Sequence, residues 1–170
     1  MNRSIVLNVF VFFVYLFFQV LILKNAVMFH MAFCFLYIGF LLLLPVETNP
    51  LILMLIGFTL GFSIDVFYDS LGLHALASVL IMYARNYWLA VLTPQGGYDA
   101  NVLPSLANNG VQWFMTYAIP LIFLHHIVLF YTEAGGFDYF WHTLMKVLAS
   151  TGFTLLAIVL VEYIFPARRS

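Results

Sequence analysis

Runs of about twenty apolar residues, separated by short polar or turn-forming stretches, recur along the whole chain. A hydrocarbon core about 30 Å thick takes about 20 helical residues per crossing. Six segments of that scale stand out: residues 5–23, 27–44, 51–67, 71–92, 111–131 and 139–165. Lys24 and Asn25 close the first, and Pro45, Glu47, Asn49 and Pro50 close the second. Only Tyr68, Asp69 and Ser70 separate the third and fourth, so these two are predicted to form a helical hairpin around a tight polar corner. Residues 93–109, with Pro94, Gly96, Gly97, Asp99, Pro104, Asn108 and Asn109, form the one polar loop of any length. Pro120 interrupts the fifth segment and predicts a kink, tolerated where a neighbour satisfies the freed carbonyl. The expectation is an all-α integral membrane protein, a six-transmembrane-helix bundle forming a single domain over residues 1–170.

Composition supports a lipid solvent. With 65% hydrophobic and 8% charged residues, the chain lacks the polar surface of a soluble domain, in which roughly a quarter of residues are charged. Residues 5–23 exceed a usual signal-peptide apolar region of about 7 to 15 residues, and Lys24, Asn25 and Ala26 make a poor cleavage site, so this run is expected to be retained. Net charge is −1, and no basic cluster exceeds Arg168 and Arg169, which sets nucleic-acid binding aside. The single Cys34 lies in an apolar run and is expected to pack. Six crossings would put both termini on one side. Arg3, Arg85, Arg168 and Arg169 fall towards one face and Lys24 and Lys146 towards the other, a bias that favours cytoplasmic termini in a bacterial inner membrane.

Few residues offer chemistry. Ionisable groups within spans are costly and default to a functional hypothesis, and Asp65, Asp69 and His74 gather at the hairpin corner. If the helix continues, Asp65 and Asp69 share a face and repel unless a cation, a proton or a partner intervenes. The functional reading is cation binding, proton relay or partner docking. The plainer one has Asp69 and Ser70 capping the fourth helix, Gly72 easing the turn and Asp65 reaching interfacial water. Gly57 and Gly61 form a G-x-x-x-G pair that permits close helix packing, within the chain or with another. His125, His126, His142 and Lys146 either line a polar path or are satisfied locally, with Lys146 snorkelling outward. Arg85, beside Tyr83, Tyr87 and Trp88, is expected to anchor at the inner interface. No catalytic motif, metal-ligand spacing or cofactor loop is recognisable, so no catalytic residue, metal or cofactor is expected.

The segment Gly57-Phe58-Thr59-Leu60-Gly61-Phe62-Ser63-Ile64-Asp65, then Leu71-Gly72-Leu73-His74-Ala75 and Tyr83 to Arg85, resembles the rod shape-determining protein MreD family. The match covers residues 57–85, about a sixth of the chain, and elsewhere only length and hydropathy agree. The resemblance implies a non-enzymatic inner-membrane adaptor of the cell-elongation, peptidoglycan-synthesising machinery. It would act with a bitopic MreC-like protein and, indirectly, with an MreB-like filament and RodA-like and penicillin-binding synthases. Gly57, Gly61, Asp65, Gly72 and His74 would be the family positions. That family is thought related to the six-helix substrate-binding membrane subunits of energy-coupling-factor transporters, which implies a rival function: binding or transport of a small, vitamin-like molecule. The 93–109 loop and the phenylalanine-rich start (Phe10, Phe12, Phe13, Phe17, Phe18) do not map onto the family.

Overall fold

The computed structural model describes residues 3–98 and 103–167, with side chains from Val6 onward. The Arg3 side chain, Asp99, Arg168 and Arg169 lie outside the described residues, and with them most of the charge bias used above to orient the chain. The protein is mostly helical. Among the described residues five helices are long: α1 (Arg3–Leu21), α3 (Pro50–Tyr68), α4 (Leu73–Val91), α6 (Val111–Glu133) and α7 (Phe140–Ile164). Two are short, α2 (Tyr37–Leu42) and α5 (Leu106–Asn109), and strands β1 (Val27–Met28) and β2 (Ala32–Phe33) pair antiparallel. Helices α3, α6 and α7 are long and apolar enough to cross a membrane. At 1.5 Å per residue they extend over about 28 to 37 Å.

One predicted span is not a helix. Residues 27–44, as apolar as any other segment, form the β1–β2 hairpin, an extended stretch and the six-residue α2. The hairpin turns through Phe29 and His30, both left-handed at φ 52° and 59°, and Met31 N–H donates to the Met28 carbonyl at 3.1 Å. From Cys34 to Leu42 every residue is buried, and this stretch is the centre of the hydrophobic core. Non-helical backbone at membrane depth is tolerated only where protein encloses it, because lipid offers no hydrogen bonds.

The surrounding helices supply those bonds. Ser150 and Thr154, one turn apart on α7, stand where a neighbouring strand would. Ser150 Oγ accepts from Phe33 N–H at 2.9 Å and Thr154 Oγ1 from Phe35 N–H at 3.0 Å. On α1, the Gln19 amide donates to the Cys34 carbonyl at 2.9 Å and accepts from Tyr37 N–H at 3.4 Å. Tyr117 on α6 donates its hydroxyl to the Leu42 carbonyl at 2.8 Å, and the Arg85 guanidinium on α4 donates to the Leu44 carbonyl. Thr154→Val is therefore expected to cost about 1–3 kcal/mol by orphaning a buried N–H, whereas Thr151→Val, whose hydroxyl is buried without a partner among the described residues, is expected to cost little. Thermal unfolding of both variants in detergent separates these outcomes.

Local signals explain the remaining elements. Asn49 caps α3 by accepting from Leu51 N–H at 2.9 Å, and Pro50 takes the first helical position, where its missing N–H costs nothing. Helix α6 runs through Pro120. The carbonyl that Pro120 cannot engage, that of Thr116, accepts instead from the Trp88 indole N–H at 3.2 Å. The polar loop is tied down at its far end, where Ser105 donates to the Ala167 carbonyl at 2.8 Å and Leu106 N–H approaches the Glu162 carboxylate at 3.3 Å.

Candidate functional site

The α3–α4 hairpin carries most of the residues singled out by sequence. Gly57 and Gly61 face α4 of the same chain. A Cβ on Gly61 would lie 2.6 Å from Ala75 Cα and 2.6 Å from the His74 carbonyl oxygen, and one on Gly57 would lie 2.9 Å from Met82 Cγ. Only glycine allows this approach, and the glycine face is occupied inside the bundle. Asp65 sits at the same level. Its Oδ1 accepts from His74 N–H at 2.9 Å and from the Ser70 hydroxyl at 2.6 Å, while Oδ2 accepts from Ala75 N–H at 2.9 Å. The carboxylate of one helix thereby satisfies the free amides in the first turn of the next, where the helix dipole also favours negative charge.

This geometry corrects two expectations. Helix α3 ends at Tyr68, and Asp69, left-handed at φ 54°, is exposed beyond it, so Asp65 and Asp69 share no face. Capping of α4 falls to Asp65 rather than to Asp69 and Ser70; Ser70 serves by donating to the cap. Asp65 is 5% exposed and does not reach interfacial water. Gly72, at φ 92°, occupies the position before α4 in a conformation that suits glycine.

Arg85 is a third correction. Its side chain is 0% exposed, inside the bundle rather than at an interface. The guanidinium donates from Nε to Tyr117 Oη at 2.7 Å and from Nη2 to the Leu44 carbonyl, and Nη1 has no partner among the described residues. Tyr83 and Tyr87, two positions to either side, do face outward.

His74 leads into a polar network in the core. Its Nδ1 lies 2.9 Å from the Tyr37 hydroxyl, which also lies 2.7 Å from His125 Nε2. His126 lies beside it on α6, with Nδ1 2.7 Å from the Ile122 carbonyl and Nε2 3.4 Å from Thr154 Oγ1. Phe35 packs against His74, His125 and His126 with ring centroids 5.0 to 6.2 Å apart. His142 is exposed at the start of α7, and Lys146 pairs with Glu133 at 2.7 Å. Among the described residues, no group of three or more His, Cys, Asp or Glu side chains is placed to hold a metal ion. Sequence reasoning passes over Tyr37, Gln19, Tyr117, Ser150 and Thr154. Their common signal is polarity within otherwise apolar runs.

Comparison with family models, with curated proteins and with solved structures finds no match to this chain.

Proposed function

We propose that this membrane protein is a non-enzymatic scaffold of the bacterial cell-elongation machinery, an inner-membrane adaptor that binds a bitopic MreC-like partner beside the wall synthases. In this reading, the five long helices and the 27–44 segment each traverse the bilayer, with the termini towards the cytoplasm. One observation supports a scaffold above all. The five positions the resemblance singles out, Gly57, Gly61, Asp65, Gly72 and His74, together with Arg85, shape or tie the frame. Gly57 and Gly61 seat α4, Asp65 and Gly72 begin it, and His74 and Arg85 reach from it to hold the 34–44 segment. A frame so tied internally presents a fixed outer surface, and in lipid such a surface recognises other helices by packing and by a few hydrogen bonds.

Asp65 itself is enclosed and hydrogen-bonded within the chain, so this reading assigns it to the frame and not to the partner contact. Co-expression with a bitopic protein carrying one hydrophobic anchor, a coiled coil and a β-rich extracytoplasmic domain is expected to yield a stoichiometric complex in detergent. Asp69→Ala, at an exposed position outside the clamp, is expected to leave that complex intact. Failure of the wild-type proteins to co-purify, with both well expressed, overturns the scaffold.

A further inference from the structure

At the end of the bundle where the α3–α4 corner meets Lys24, Glu133 and Lys146, a cleft of about 180 Å³ opens, and His74 forms part of its wall. His74 is 3% exposed, the most buried ionisable group there, and only one of its ring nitrogens is engaged. The protonation of the other follows from the network behind it. The Tyr37 hydroxyl has one proton and two imidazole neighbours, His74 Nδ1 and His125 Nε2. His125 Nδ1 is buried with no partner among the described residues. If Tyr37 donated to His125, the His125 proton would sit on Nδ1 as an orphaned N–H in the core. If Tyr37 donates to His74, His125 donates from Nε2 and leaves only a lone pair unmatched, and buried donors without acceptors are the rarer defect. The second arrangement, assigned from the network, places the His74 proton on Nε2, where no acceptor stands among the described residues.

The other polar groups of the cleft are mainly donors. Lys24 Nζ donates one proton to the Phe67 carbonyl at 2.6 Å and keeps two. Lys146 pairs with Glu133 at 2.7 Å and lies 4.2 Å from the centroid of the Phe130 ring. Asp65 is turned to the backbone, with both carboxylate oxygens engaged by the Ser70 hydroxyl and the His74 and Ala75 amides. Of the two ammoniums, Lys146 is paired with Glu133 and Lys24 has no carboxylate partner among the described residues, while the Asp65 carboxylate lies behind His74 on the backbone side. Phe33, Phe35, Tyr68 and Phe130 supply apolar walls.

We propose that this cleft binds a small organic monoanion, a carboxylate on a short or single-ring apolar body, with His74 Nε2–H and the Lys24 and Lys146 ammoniums as donors. The space admits about six water-sized groups at about 30 Å³ each, which is well below a drug-sized site. The site stands apart from the scaffold reading, because partner co-purification is scored without any ligand.

Benzoate, benzyl alcohol and benzylammonium, titrated into the detergent-solubilised full chain, test the inference by thermal shift and calorimetry. Benzoate alone is expected to raise the unfolding midpoint saturably. Lys24→Gln, at an exposed position that leaves the core intact, is expected to weaken benzoate about tenfold, the factor that about 1.4 kcal/mol represents. His74→Gln is expected to abolish the shift. Because that variant also loses a core contact, Lys24→Gln is the deciding one. No response to benzoate, an equal response to all three probes, or unchanged benzoate affinity in Lys24→Gln overturns the proposal.

Discussion

Replacing Asp65 with Ala is expected to destabilise the folded protein by about 3 kcal/mol, since it strips two backbone amides of a charged acceptor and removes a helix cap. The amides are those of His74 and Ala75, and the Ser70 hydroxyl loses its acceptor with them. His74 and Ala75 are enclosed by protein, at 3% and 5% exposed, so water does not readily replace the lost acceptor, which puts the loss at the upper end for a single cap. Asp65→Asn retains one acceptor oxygen and is expected to lose about half as much. Equilibrium unfolding in mixed micelles, followed by circular dichroism, measures both. A loss below about 1 kcal/mol for the alanine variant, the range of an ordinary exposed cap, would sink the clamp.

Gly61→Val is expected to be at least as damaging, at about 3 kcal/mol or more, beyond the usual range for overpacking because the obstructing atoms are backbone. A Cβ there meets Ala75 Cα and the His74 carbonyl at 2.6 Å each, and neither yields unless α4 moves away bodily. Gly57→Ala is expected to be milder, since its nearest obstacle, Met82 Cγ at 2.9 Å, belongs to a flexible side chain. The notch at Gly61 and the clamp at Asp65 grip the same turn of α4. Their double variant is therefore expected to lose less than the sum of the singles, because the second change acts on a hairpin already opened. Full additivity in the same unfolding assay would show that the two devices are independent.

The long helices are legible in the sequence because hydrocarbon thickness sets a length that hydropathy can count. Residues 51–67 and 111–131 match α3 and α6 to within two positions. Helix α4 begins at Leu73 rather than at 71 because Leu71 and Gly72 are both left-handed, at φ 50° and 92°. Residues 27–44 mislead for a physical reason: hydropathy records how much a side chain favours oil and nothing about the backbone that carries it. The clue lies on the other helices. Gln19, Ser150, Thr154, Tyr117 and Arg85 are polar groups in apolar surroundings, and all five hydrogen-bond to carbonyls or amides of this one segment.

At the candidate site, residue type is legible and direction is not. The glycine spacing announces a close approach without saying to which helix, and Asp65 announces a buried carboxylate without saying that its partners are the amides of His74 and Ala75. Arg85 is drawn to an interface by its aromatic neighbours Tyr83 and Tyr87. Residues two apart on a helix point to nearly opposite sides, and that is the separation between the exposed tyrosines and the enclosed arginine.

The bonds from Ser150 and Thr154 to Phe33 and Phe35 join positions 117 and 119 apart in the chain. During synthesis the early segment leaves the ribosome long before the helix that will complete it, so a nascent chain carries a stretch of bare amides with no permanent place in the bilayer. The Phe33 and Phe35 amides gain their side-chain acceptors only once α7 is in place, and a product cut short ahead of Ser150 is expected to be the less stable for it.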